Sequence, residues 1–184
     1  MFVRCAILSL VLALFVILIP DAPAIADPAP RQLHNKTIRV LYTVQNTLRR
    51  MDGSTVTPPG VSIEQLFYVS SAGRIFVKRT VTGRRGTRGG EVGPDDSTTN
   101  AGAARSASFQ GGKLVSIASR GGGAGRTIVS FDPSYSSCTA DQQYGKPEGQ
   151  AMMRRGPRGG VAELVSTSFS GQSCSIAEGN QVAN

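Results

Sequence analysis

The sequence predicts an all-β, antiparallel fold: a meander forming a small barrel or sandwich of about seven to nine strands, with mobile glycine- and arginine-rich loops. Three observations carry this expectation. Apolar and polar residues alternate with period two over short stretches, as in Ile38, Val40, Tyr42 and Val44, which places one face of each strand toward a core. Glycine-rich turn signals separate those stretches at regular intervals. No segment sustains a helical period, so helix-based architectures are excluded.

The elements follow in chain order. Met1 to Arg4 forms a positively charged head, Ala6 to Ile19 is an apolar run ended by Pro20, and Ala24-Ile25-Ala26 supplies the small residues that a signal peptidase inspects. This is the layout of a cleaved secretory signal peptide spanning residues 1–26. The apolar run is shorter than the about 20 residues a transmembrane helix needs, so no membrane span is expected after cleavage. Cleavage removes Arg4 and Asp21 together and leaves the formal charge of +8 unchanged.

Residues 27–35 are polar and proline-rich and read as a tether. A single β-domain is expected over residues 36–178. Its first strand runs from Lys36 to Gln45, and Asp52-Gly53 and Pro58-Pro59-Gly60 then turn and break the chain. Ile63 to Ser70 and Arg74 to Val81 form a hairpin around Ser71-Ala72-Gly73. Leu66, Tyr68 and Phe76 make its second face apolar as well, so this hairpin is expected at the centre of the sheet.

Thr82 to Ala104 is long and polar and reads as a mobile loop. Ser106 to Gln110, Lys113 to Ser119 and Thr127 to Asp132 are three successive antiparallel strands, the first two joined by Gly111-Gly112. Ser137 to Tyr144 adds another. Gln150 to Arg155 has room for one helical turn, which Gly156-Pro157 stops. Val161 to Ser170 and Ser173 to Ile176 are strand-like on either side of a turn at Gly171-Gln172. Residues 179–184 read as a frayed tail.

Three phrases, His34 to Val40 (HNKTIRV), Tyr68 to Arg79 (YVSSAGRIFVKR) and Ser130 to Ala140 (SFDPSYSSCTA), resemble small exported bacterial proteins of uncharacterised function. The resemblance covers about a fifth of the chain after cleavage. It implies export and a β-rich fold and brings no activity with it.

Two cysteines lie beyond the signal peptide, Cys138 and Cys174. An even count in a small exported domain suggests a disulfide, whereas a metal site would need further ligands and the sole histidine, His34, is remote in sequence. The same histidine limits catalysis. Ser-His-Asp and Cys-His mechanisms need an imidazole between nucleophile and acid, and His34 sits in the tether. Asp95-Asp96 falls in the polar loop, and Glu64, Asp132 and Glu163 are not paired by any pattern, so a hydrolase using carboxylates is a residual reading. No catalytic residue, metal or cofactor is expected.

The most distinctive chemistry is a repeated R-R-G-x-R-G-G. Arg84, Arg85 and Arg88 belong to the first copy and Arg154, Arg155 and Arg158 to the second. Guanidinium forks match phosphate and carboxylate, and glycine lets backbone amides approach the same anion. Arg-Gly-Gly runs also occur in RNA-binding segments, but only two copies are present, no aromatic residue is interleaved, and export removes the chain from cytoplasmic RNA. A specific nucleic-acid partner is therefore disfavoured. The expected function is that of an exported, periplasmic or secreted, non-catalytic β-domain contacting an anionic polysaccharide, a lipid headgroup or a protein partner through these loops. The alternative is a lipocalin-like carrier of a small apolar ligand, which requires space between the strands. The two arginine copies make one site only where the fold brings them to one face.

Overall fold

A computed structural model describes the backbone of residues 26–83, 86–92, 104–120, 123–145, 151–155 and 160–182. The signal-peptide reading of residues 1–26 therefore falls almost wholly outside the described residues. Within them the chain is β throughout, apart from a 3-10 turn at Arg31–Leu33.

Two antiparallel sheets form. The larger contains β1 (Lys36–Arg50), β2 (Thr55–Val56), β3 (Val61–Val69), β4 (Ile75–Gly83), β5 (Gly86–Val92), β10 (Met153–Arg155) and β11 (Val161–Glu178), in the order β10-β11-β1-β3-β4-β5, with β2 paired to β1. The smaller is the meander β6 (Ala104–Gln110), β7 (Lys113–Arg120), β8 (Gly123–Phe131) and β9 (Cys138–Gly145), in sequence order. The architecture is sandwich-like: each sheet keeps two edges, so the barrel alternative gives way to the sandwich.

The expected alternation is realised. Ile38, Val40 and Tyr42 on β1, Ile63, Phe67 and Val69 on β3, and Ile75 and Val77 on β4 point inward. They meet Phe109, Leu114 and Val129 from the small sheet in one core. The β6–β7 turn is the one its Gly-Gly predicts. Gly111 and Gly112 have φ of 56° and 73°, a left-handed pair that matches the twist of a two-residue hairpin. The predicted bridge also forms. Cys138 on β9 and Cys174 on β11 are joined across the two sheets, with Cα atoms 5.5 Å apart. Closing a loop of 36 residues stabilises the fold by about 4 kcal/mol in the chain-entropy account.

Several expectations are corrected. Gly171-Gln172 is no turn, because β11 runs through it for 18 residues. Leu41 pairs with Ser173 and Thr43 with Ser170, so two residues of β11 face the single Tyr42 of β1. Gly171, at φ 62°, supplies the left-handed residue that such a β-bulge uses, and the strand bends without ending. The arginine stretches are not wholly loops either. Gly86–Val92 pairs with β4, placing Arg88 opposite Val81, and Met153–Arg155 pairs with β11 where a helical turn was expected. Backbone hydrogen bonding to a neighbouring strand outweighs the weak β preference of glycine and arginine in both places.

The termini of the domain are docked. The segment read as a tether crosses the end of the sandwich. Asp27 bridges to Phe109, its carboxylate accepts from the Gly111 amide at 2.6 Å, and Leu33 is completely buried. After β11 the chain turns at Gly179 and lies over the outer face of the large sheet, burying Val182. Thr37 donates to the Gly179 carbonyl at 2.6 Å and accepts from the Gln181 amide at 3.1 Å, while Lys78 donates to the Val182 carbonyl at 3.3 Å. The apolar second face of the β3–β4 hairpin calls for such a cover. The tail is thus fixed through residue 182.

Candidate functional site

The space between the sheets is not filled evenly. Toward the N-terminal half of β1 it is packed by the core just described. At the far end a second cluster forms from Leu48, Met152, Ala162 and Leu164, with Val56 and Tyr144 against it. Between these two lies a cleft of about 330 Å³. That volume falls at the low end of the range of roughly 300–1,000 Å³ for small-molecule sites.

Cross-strand register explains how its floor is built. Gln65 on β3 pairs directly with Arg79 on β4, so the two project from the same face of the large sheet. Thr127 on β8 pairs with Gln142 on β9 and with Ser116 on β7, so these three project from the small sheet. All five line the cleft. Gln65, Ser116, Thr127 and Gln142 are buried. Thr127 Oγ1 lies 2.8 Å from an amide oxygen of Gln65 and 2.8 Å from one of Gln142, linking the sheets through a polar layer. A hydroxyl has one proton, so Thr127 donates to one glutamine and accepts from the turned amide of the other. Either arrangement leaves one polar end of Gln142 unmatched.

The walls and mouth are of a different character. Tyr42, Ile63, Val44, Val61, Val81 and Phe169 give the large sheet's side an apolar surface, and Tyr42 meets Phe169 edge to face at 6.0 Å between centroids. Opposite them the small sheet offers Ala118, Gly123 and Gly125. Ala118 and Gly125 make the room. A Cβ on Gly125 would meet nothing closer than the Ala118 carbonyl at 3.8 Å, whereas one on Gly123 would strike Tyr144 and Met152.

Charge in the cleft comes from one residue. Arg79 is the only ionisable side chain with a fixed charge among the described residues lining it, and no carboxylate is among them. Its Nε is buried without a hydrogen-bond partner, as is Nε2 of Gln142. Native proteins rarely leave such groups unmatched, because each costs about 1–3 kcal/mol.

The residues singled out from the sequence lie elsewhere. Arg84, Arg85 and Arg158 are outside the described residues. Arg88 sits on β5 and Arg154 and Arg155 on β10, which are the two opposite edges of the large sheet. Five inter-strand steps separate those edges, about 24 Å measured along the sheet. The fold therefore holds the described parts of the two copies on separate strands. Arg79 could have been noticed in the hairpin, where it is the charged residue on an otherwise inward-facing row with Ile75, Val77 and Val81. Its partners could not, because Gln65, Thr127 and Gln142 are joined only through the tertiary fold.

The candidate carboxylates are each engaged separately. Glu64 accepts from Arg39 Nε at 2.7 Å, and Glu163 pairs with Arg49 at 3.6 Å. Asp132 closes its own turn, accepting from the Ser134 hydroxyl and from the Ser136 and Ser137 amides at 2.7 and 2.8 Å. The Ser134 hydroxyl, together with the Ser137 amide, holds its carboxyl well below the usual carboxylate range. Asp95 and Asp96 lie outside the described residues. His34 is half-buried in the docked N-terminal segment, its Nε2 donating to the Ala29 carbonyl at 3.3 Å. Among the described residues no cluster of His, Cys, Asp or Glu could hold a metal ion, and no helix is long and apolar enough to cross a membrane. Comparison with protein-family models, with curated proteins and with solved structures finds no match to this chain.

Proposed function

We propose that this chain is an exported, non-catalytic binding domain that holds a small molecule between its two sheets. The observation that carries the reading is the cleft of about 330 Å³, which joins an apolar wall to a polar floor. Small-molecule sites have this composition: mostly apolar surface with a few polar groups that fix orientation. The binding chemistry lies in the cleft between the sheets and not in the two arginine copies. The disulfide between Cys138 and Cys174 supports an oxidising compartment, in keeping with the signal-peptide layout of the N-terminus.

The test uses a neutral fluorophore, N-phenyl-1-naphthylamine, whose emission rises in apolar surroundings. The wild-type chain should bind it with one-to-one stoichiometry. Gly125→Leu should abolish the signal, since the backbone at 125 accepts a Cβ and the added side chain fills the cleft. Ala118→Leu, from the neighbouring strand, should do the same. Both variants should keep the far-ultraviolet circular dichroism and cooperative melting of the parent. Equal binding by parent and both folded variants would sink the reading.

A further inference from the structure

We infer that the molecule held in the cleft is an organic anion, a carboxylate on an apolar body, seated with its charged head on Arg79. The inference rests on the reading of the cleft as a binding site and names the class of ligand. A neutral apolar guest would leave the floor as it is, with the buried Nε of Arg79 and one end of Gln142 still unmatched. A carboxylate has two oxygens with lone pairs to spare. One accepts from the buried Arg79 Nε–H, and the other lies toward the polar layer in which Gln142 keeps an unmatched end.

Three features of the site fit this class. The first is the charge balance: Arg79 brings a cation into the cleft, and no carboxylate among the described lining residues neutralises it. Arg79 is half-buried, but its Nε–H is buried and unmatched, so a charged acceptor gains more from this site than an isosteric neutral molecule does. The second is position. Arg79 is the cross-strand partner of Gln65, which Thr127 ties to the small sheet, so a head group on Arg79 sits beside the polar layer. The third is the direction of the apolar surface. Tyr42, Ile63 and Phe169 line the cleft next to the polar floor along the strands, where they would cover the body of a guest whose head is at the floor.

The Thr127 link also sets how firmly the floor is held. With Gln65 and Gln142 both tied to one hydroxyl, the free end of Gln142 has little rotational freedom, and a pre-positioned group loses less entropy on binding. Selectivity then comes from the floor and capacity from the walls.

Calorimetric titration of the full chain against matched pairs tests this: octanoate against octanamide, and 3-phenylpropanoate against its amide. The carboxylate of each pair should bind at least about tenfold more tightly than the amide, the size expected of a hydrogen bond to a charged group. Arg79→Met, which keeps the length of the stem, should erase that preference while the variant keeps the far-ultraviolet circular dichroism and cooperative melting of the parent. Arg79→Lys should restore part of the preference, because the charge returns without the planar fork. If the fluorophore binds while acids and amides bind alike, or if Arg79→Met keeps the preference, the anion inference fails and the cleft reading stands. If neither fluorophore nor acids bind the folded parent, the cleft reading itself fails.

Discussion

The two halves of the space between the sheets are lined by the same strands, yet one is sealed and the other is open. On β3 the inward row runs Val69, Phe67, Gln65, Ile63, Val61; on β8 it runs Phe131, Val129, Thr127, Gly125, Gly123. In the sealed half, bulky residues from both sheets interdigitate, and Leu33 closes the end. In the open half the large sheet keeps its bulky residues while the small sheet offers glycine and alanine. The cleft therefore arises from what one sheet omits, and Thr127 marks the boundary. A cavity can be written into a sandwich by two small residues on adjacent strands, Ala118 and Gly125, with no change of backbone plan.

The strongest way to break this comparison is one substitution made on each side. Val69→Ala, at a completely buried position, should cost about 2–3 kcal/mol, from the lost transfer energy and the hole left in close packing. Val44→Ala, on the cleft wall, should cost about 1 kcal/mol or less, since its neighbours already face space. Urea denaturation of the two variants checks this, and equal losses would mean the two halves are packed alike.

An intermediate effect is expected at the boundary. Thr127→Val keeps the shape and removes the hydroxyl shared by Gln65 and Gln142, which should cost about 1–2 kcal/mol, with Thr127→Ser close to the parent. A neutral outcome for valine would show that the polar layer is satisfied by other means.

The smallest effect concerns the turn beneath the sealed half, where Tyr135 stacks on Phe131 and Asp132 holds the chain leading to Cys138. The carboxyl of Asp132 is depressed in the folded state, so its contribution is fully present above the unfolded value of about 3.9 and is lost as the pH falls through the folded value. The stability gap between the parent and Asp132→Asn should therefore be wider at pH 7 than at pH 3. A gap that does not narrow with acid would assign the turn's stability to its backbone alone.

Much of the fold was legible in the sequence because its signals are local. Alternation around Phe67 and Val77 marked the central hairpin, and Gly111-Gly112 marked the start of the meander. What was not legible depends on distant partners. Gly171 in isolation is a turn signal, and only the pairing of β1 with residues on both sides of it makes it a bulge. The arginine stretches are poor strand formers by composition and become strands through their neighbours β4 and β11. The cleft was hidden for the same reason. The arginines that stood out in sequence lie in glycine-rich runs, whereas Arg79 sits inconspicuously in a regular strand.

The pairing of β1 with β11 has a consequence in time. These strands lie near opposite ends of the domain and share the longest register in it, from Lys36 with Glu178 to Arg50 with Ala162. Once residue 150 has emerged, every strand of the small sheet and β1 to β5 of the large one are present. At that moment β1, with its apolar row already in place, presents an unpaired edge to whatever is nearby, and an edge of that kind is a template for the wrong strand. The domain's last eighteen-residue strand is the piece that withdraws this template, so the large sheet is complete only once residue 178 is available to pair.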